Sequence, residues 1–214
     1  MSKVISFALW GNSQKYLVGA LKNAQDRSKF YLDWECIFYV HKDVPEETIN
    51  KLRGFHGTKV KILDGEANWT FSLTRFLPFL DENVEYFISR DCDSRFSKRE
   101  VDAVNEWLDS GKLCHTMKDH PCHYNYPLLA GMTGFKNPCL LDFATMLGEY
   151  QNKDYYHHDQ DFLKDVVWPF YGHSILFHSK DNFPSQREEN KFVGQVFDEH
   201  EKTPQEHIDL LKYE

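Results

Sequence analysis

Hydrophobic and polar positions change period repeatedly along the first half of the chain. Val4-Ile5-Ser6-Phe7-Ala8-Leu9 is a short, nearly continuous apolar run, the pattern of a buried strand, and it ends at Trp10-Gly11-Asn12. Tyr16, Leu17, Ala20, Leu21 and Ala24 then recur at helical spacing, which predicts a helix capped by Asn12 or Ser13. Trp34 to Val40 reads as a second strand. Pro45 to Leu52 reads as a short helix with proline in its first turn. Lys59-Val60-Lys61-Ile62-Leu63 is a third strand, Trp69 to Leu80 a helical segment, and Tyr86-Phe87-Ile88-Ser89 a fourth strand. This strand–helix rhythm predicts a single α/β domain over residues 1–214, built on a mostly parallel sheet with helices on both faces.

The second half is less regular. Ser97-Lys98-Arg99-Glu100 has the form of a capping box opening a helix, with Val101, Val104, Trp107 and Leu108 as its apolar stripe and Gly111 as its stop. Leu113 to Met117 predicts a strand, and Leu128 to Phe135 another, interrupted by Gly131 and Gly134. Helices are expected after Pro138 and near His158, a late strand at Ser174 to His178, and a peripheral helix in the polar last dozen residues.

Composition narrows the class. With 25 basic against 33 acidic residues, the net charge of −8 argues against a nucleic-acid backbone as the main partner. No apolar run has the length of a membrane span, and the first residues lack a signal peptide's apolar stretch. The five scattered cysteines fit reduced thiols and a cytoplasmic location better than a disulfide framework. Cys114, His115, His120, Cys122 and His123 cluster in sequence. Their spacing nevertheless lacks the paired ligands of a structural zinc site, so His120-Pro121 is read as a loop over the ligand.

The sharpest chemical signal is Asp91-Cys92-Asp93, directly after the fourth strand. In an extended segment residues two apart project to one side, so both carboxylates are expected at the mouth of the sheet. Ligands of parallel sheets bind there, and Mg²⁺ or Mn²⁺ is commonly held by one or two carboxylates plus substrate phosphates. The first strand's end makes Ala8, Leu9 and Trp10 candidate walls of the same pocket.

The stretch Phe71 to Leu80 followed by Val84 to Asp93 resembles the donor-binding region of A-type glycosyltransferases, as in the glycogenin and lipopolysaccharide-galactosyltransferase group. That resemblance implies a nucleotide contact for Arg75, and it matches the group's later motifs to Ala130-Gly131 and to Asp159-Gln160-Asp161. Ser89 to Arg95, together with Lys118-Asp119-His120-Pro121 and Phe192-Val193-Gly194, is similar to bacterial and chlorella-virus polysaccharide glycosyltransferases, over nearly the whole chain. It implies an A-type nucleotide-diphospho-sugar transferase fold and a metal-dependent transfer from a UDP-sugar to a glycan or glycoprotein hydroxyl. The setting would be surface-polysaccharide or viral capsid glycan synthesis, with a host-cytoplasm location in the viral case and further domains in a longer enzyme.

On that resemblance Asp91 and Asp93 hold Mn²⁺ or Mg²⁺, and Cys92 belongs to the donor site. His178, with His173 as competitor, is the expected third metal ligand. Lys180 or Arg187 is expected at the diphosphate. Asp159, Asp161 and Asp119 are the candidate bases. Two other readings stand beside it: a haloacid-dehalogenase-like phosphatase, with Asp91 as nucleophile, and a non-catalytic sugar-binding module. Arg90 beside Asp91, and the three strands that precede the motif, count against the phosphatase.

Overall fold

The computed structural model describes residues 2–137, 142–150, 153–185 and 187–213. Its described strands form one sheet in the order β3-β2-β1-β4-β6-β5-β7. The strands are β1 (Ser2–Leu9), β2 (Glu35–His41), β3 (Thr58–Leu63), β4 (Val84–Arg90), β5 (Cys114–Lys118), β6 (Met132–Lys136) and β7 (Ile175–Ser179). All pairings are parallel except those of β6, which runs antiparallel to both β4 and β5. β1 lies between β2 and β4 and is buried on both faces from Val4 to Leu9, which is why its sequence is apolar throughout rather than alternating. β3 is an edge and carries Lys59 and Lys61, charges suited to an unpaired strand flank.

Two cores occupy the two faces. Ile5, Phe7, Phe38 and Ile88 meet α1 (Gln14–Phe30), α2 (Glu46–Gly54) and α3 (Lys98–Ser110) on one side. Val4, Tyr39, Phe87 and Phe135 pack on the other against a segment from Trp69 to Leu80, α4 (Phe143–Glu149) and α5 (His158–Phe162). Beyond α5 the chain passes through a π turn, Leu163–Val167, into α6 (Trp168–Tyr171), and a last helix, α7, spans Gln205–Leu210. The helix expected after Pro138 begins at Phe143, while Pro138 itself and Cys139 lie outside the described residues. Cys36, Cys92, Cys114 and Cys122 are free thiols. No helix among the described residues is long and apolar enough to cross a membrane.

Three local departures from the sequence expectations shape the site. Trp69 to Leu80 is a 3₁₀ helix, capped by Asn68, whose side chain accepts from the Thr70 amide. Three residues per turn align every third side chain. Leu73, Phe76 and Phe79 therefore face the core, while Trp69, Ser72 and Arg75 share a line toward the end of the sheet. Asp91 to Ser94 is a turn, closed by the Ser94 amide on the Asp91 carbonyl, rather than an extension of β4. Ala130-Gly131 likewise lies in a turn, and β6 starts only at Met132.

Candidate active site

The carboxyl ends of β1 and β4 open into a cavity of about 420 Å³. Ala8, Leu9 and Trp10 line it from β1 and its exit, and Asp91, Cys92 and Asp93 from the turn after β4. Ala130 and Asp159 complete the set that sequence motifs singled out, and Arg75 enters from the 3₁₀ helix. Cys92 points down into the core beneath α1, where its thiol donates to the Ala8 carbonyl. The turn thereby leaves both flanking carboxylates at the cavity, by a different route from the alternation of a strand.

Each carboxylate has its own cation. Arg75 is buried, with Nη1 2.5 Å from Asp91 Oδ1, Nη2 3.6 Å from Asp159 Oδ2 and Nε donating to the Ser72 carbonyl. Burial alone would favour its neutral form, but Asp91 and Asp159 outweigh that and hold the guanidinium charged. Lys15, on the first turn of α1, places Nζ 2.7 Å from Asp93 Oδ2. Burial, then the nearby Asp91 charge, raises the Asp93 carboxyl above its ordinary value despite Lys15. Burial raises Asp159 too, with Arg75 opposing. The phenols of Tyr16 and Tyr156 also line the cavity, and both are raised by burial and by Asp91 and Asp93, so they face it protonated at neutral pH.

Glycines and an amide fix the geometry. A Cβ on Gly131 would stand 1.8 Å from Asp91 Oδ2, so only glycine lets that carboxylate lie against the turn. A Cβ on Gly19 would stand 2.0 Å from the Cys92 carbonyl, so α1 presses directly on the Asp91–Ser94 turn. The Gln160 side chain accepts from the Ala130 amide at 3.2 Å, joining two motifs thirty residues apart.

Other candidates are placed elsewhere. Asp119 is fully buried and takes Arg99 on both oxygens as well as the Val193 amide, so it braces the loop of Phe192-Val193-Gly194. Asp161 accepts from the Tyr155 hydroxyl at 2.8 Å and does not line the cavity. His178 is not brought to Asp91 and Asp93. Its strand β7 is three places from β4, roughly 14 Å at about 4.8 Å per strand, and the ring packs on His115 and Phe183 beside Glu106. His173 lies in the turn just before that strand. Lys180 and Arg187 line a separate cavity with Arg99, and Arg187 donates to the Asp119 carbonyl. His120 stacks on Phe192 at 4.3 Å, inside the protein rather than over the ligand cavity. Arg90 turns into the core, where Glu100 accepts from it at 2.7 Å.

Lys15, Tyr16, Trp69 and Tyr156 were not singled out as site residues in the sequence. Tyr16 and Trp69 fit the apolar stripes of their segments, and Lys15 is an ordinary polar position of an amphipathic helix. The one available signal was location, since Lys15 and Tyr16 begin the helix that follows the first strand.

The donor set suits a hard divalent cation. Asp91 and Asp93 provide two carboxylates at an open cavity, the number that Mg²⁺ or Mn²⁺ sites commonly take from protein. Among the described residues no group of three or more His, Cys, Asp or Glu is arranged to hold a metal, so the remaining ligands would be phosphate oxygens and water.

No family model matches the chain, and no curated protein matches it. Solved structures do. A glycosyltransferase involved in glycosylation of the major capsid of PBCV-1 superposes with a TM-score of 0.51 at 12% identity, over 84% of this chain and 82% of that one. A mannosyltransferase from Pyrobaculum calidifontis, in complex with GDP-Man and Mn²⁺, gives 0.54 at 12% identity over 83% and 55%. A CMP:2-keto-3-deoxy-manno-octonic acid synthetase complexed with CTP gives 0.55 at 11% identity over 84% and 90%. The chain has the Rossmann-like A-type fold that these glycosyltransferases and nucleotidyltransferases share.

Proposed function

We propose that the protein is a metal-dependent glycosyltransferase that moves a sugar from a nucleoside-diphosphate sugar, a UDP-sugar in the first instance, to a hydroxyl of a glycan or glycoprotein. The observation that carries this reading is the grouping of Asp91, Asp93 and Arg75 around one cavity at the carboxyl ends of β1 and β4, with Lys15 paired to Asp93. Trp10, Tyr16, Trp69 and Tyr156 give that cavity an aromatic wall suited to a nucleobase and ribose, with Trp69 edge-on to both Trp10 and Tyr156. The carboxylates and the two cations would then face the diphosphate.

In the transfer, the bond from the anomeric carbon to the diphosphate oxygen breaks with its electron pair on the diphosphate. A bond to the acceptor oxygen forms, through an oxocarbenium-like state. A divalent cation bound at Asp91 and Asp93 would neutralise charge developing on the leaving group. Arg75 is already charged and fixed, so it can hold the donor's diphosphate both before and during transfer without reorganising. An inverting transfer also needs a base for the acceptor proton. Asp159 is the aspartate among the three candidates that lines the cavity, and burial raises its affinity for a proton.

The shared fold with a CTP-complexed synthetase supports a second reading, nucleotidyl transfer to a sugar with release of pyrophosphate. The phosphatase reading is weaker, because β1, β2 and β3 all precede the strand that carries Asp91. Incubation with UDP-sugars and Mn²⁺ tests the proposal. Release of UDP that depends on metal, and is lost in Asp91→Ala and Asp93→Ala, is expected. Pyrophosphate release from CTP and a sugar, without UDP release, would favour the second reading.

A further inference from the structure

We propose that Lys15 is a transferable counter-ion: it neutralises Asp93 in the free protein and passes to the donor's diphosphate when a divalent cation takes that carboxylate. This rests on the donor reading above.

The two cations of the site are held in opposite ways. Arg75 is 7% exposed and tied on three sides, by the Ser72 carbonyl, Asp91 and Asp159. The Lys15 side chain is 32% exposed, whereas its partner Asp93 is 10% exposed. The ammonium is thus the more exposed member of the pair, held against a largely buried carboxylate that itself lines the cavity. A hard cation on Asp93 would stand beside the ammonium held on Oδ2, and the repulsion between the two positive charges favours release of Lys15.

The backbone around this pair is fixed, so the exchange falls to the side chain. Gly19 lets α1 rest on the Cys92 carbonyl, and Asn23 donates to the carbonyls of Cys92 and Ser94 at 3.2 and 3.0 Å. Lysine supplies a compact charge on a flexible four-carbon stem, suited to such movement. While paired with Asp93, Nζ also stands 5.0 Å from the centre of the Tyr16 ring, and Tyr16 does line the cavity.

Charge balance gives the direction. Asp91, Asp93 and Asp159 face Arg75 and Lys15, three carboxylates against two cations. A divalent cation alone would reverse that excess, and a diphosphate ester would restore it. Lys15, once released from Asp93, then has the diphosphate as its nearest anion.

Calorimetric titration of Mn²⁺ alone, and of UDP at saturating Mn²⁺, tests this in the wild type, in Lys15→Met, which keeps the stem without the charge, and in Lys15→Arg. Circular dichroism confirms that the variants fold. Lys15→Met is expected to bind Mn²⁺ about fivefold more tightly, the scale of one lost competing ion pair, and UDP about tenfold more weakly, the scale of one charged hydrogen bond. Lys15→Arg should recover most of the UDP affinity. Unchanged or weaker Mn²⁺ binding in Lys15→Met overturns the proposal. Tighter Mn²⁺ binding with unchanged UDP binding overturns the transfer to the diphosphate alone. A wild type that binds Mn²⁺ but not UDP contradicts the donor reading and the transfer together.

Discussion

Gly131 and Asp91 touch so closely that a single methyl group on the glycine would fall 1.8 Å from the Asp91 carboxylate oxygen. The backbone of Gly131 has no positive φ, so alanine fits the chain there and the collision falls on the side chain of Asp91. Gly131→Ala is therefore expected to leave the fold intact while pushing the carboxylate off its position. Misplacement of about 1 Å at such a site costs on the order of a hundredfold in activity. UDP release, measured beside a thermal melt, checks both halves.

Asp93 carries a raised pKa, so the folded protein holds its proton more tightly than the unfolded chain does. The associated stability is present below the ordinary carboxylate value of about 3.9 and is lost as pH rises through the folded value. At neutral pH the buried charge thus costs stability. Asp93→Asn is expected to raise the melting temperature at pH 7 by about 2–4 °C, equivalent to about 1 kcal/mol in a chain of this size. The gain should vanish below about pH 4, where wild-type Asp93 is protonated. Melting curves at both pH values provide the test.

Removing Arg75 affects two carboxylates at once. Asp159, already raised by burial, loses the cation that opposes that rise. Arg75→Met is expected to shift the acid limb of the pH–rate profile upward by about one unit and to raise the donor KM more than it lowers kcat. A pure kcat effect would show instead that Arg75 meets charge only in the transition state.

Asp119 is predicted to matter for stability rather than chemistry. Arg99 would be left buried without its partner in Asp119→Ala, a change of about 3–5 kcal/mol. Urea unfolding measures it. Loss of activity at unchanged stability would return Asp119 to the list of candidate bases.

Most of the fold was legible because runs such as Val4 to Leu9 and Cys36 to Val40 are apolar and are separated by helical stripes, and a parallel sheet leaves a plain trace of that kind. The position of the site followed, since Leu9-Trp10 and Asp91 to Asp93 stand where such strands end. What was not legible depends on side-chain direction. The Trp69–Leu80 stripe satisfies a helical period, yet Asn68 and Pro78 accompany a 3₁₀ turn whose period of three aims Trp69 and Arg75 at the cavity. His178 closes an apolar strand as a metal ligand would, but the order of strands, a long-range property, sets it beside β5 and away from β4. Lys15 carries no local mark at all. Its role arises because Gly19 brings α1 onto the Asp91–Ser94 turn.

Titration of UDP into the protein with and without Mn²⁺, in the wild type and in Asp93→Ala, tests the central claim most directly. The account predicts binding that requires Mn²⁺ and disappears in Asp93→Ala, while the melting temperature of the free variant stays close to that of the wild type. Binding of equal strength in Asp93→Ala, or no binding by the wild type at millimolar UDP and Mn²⁺, would contradict it.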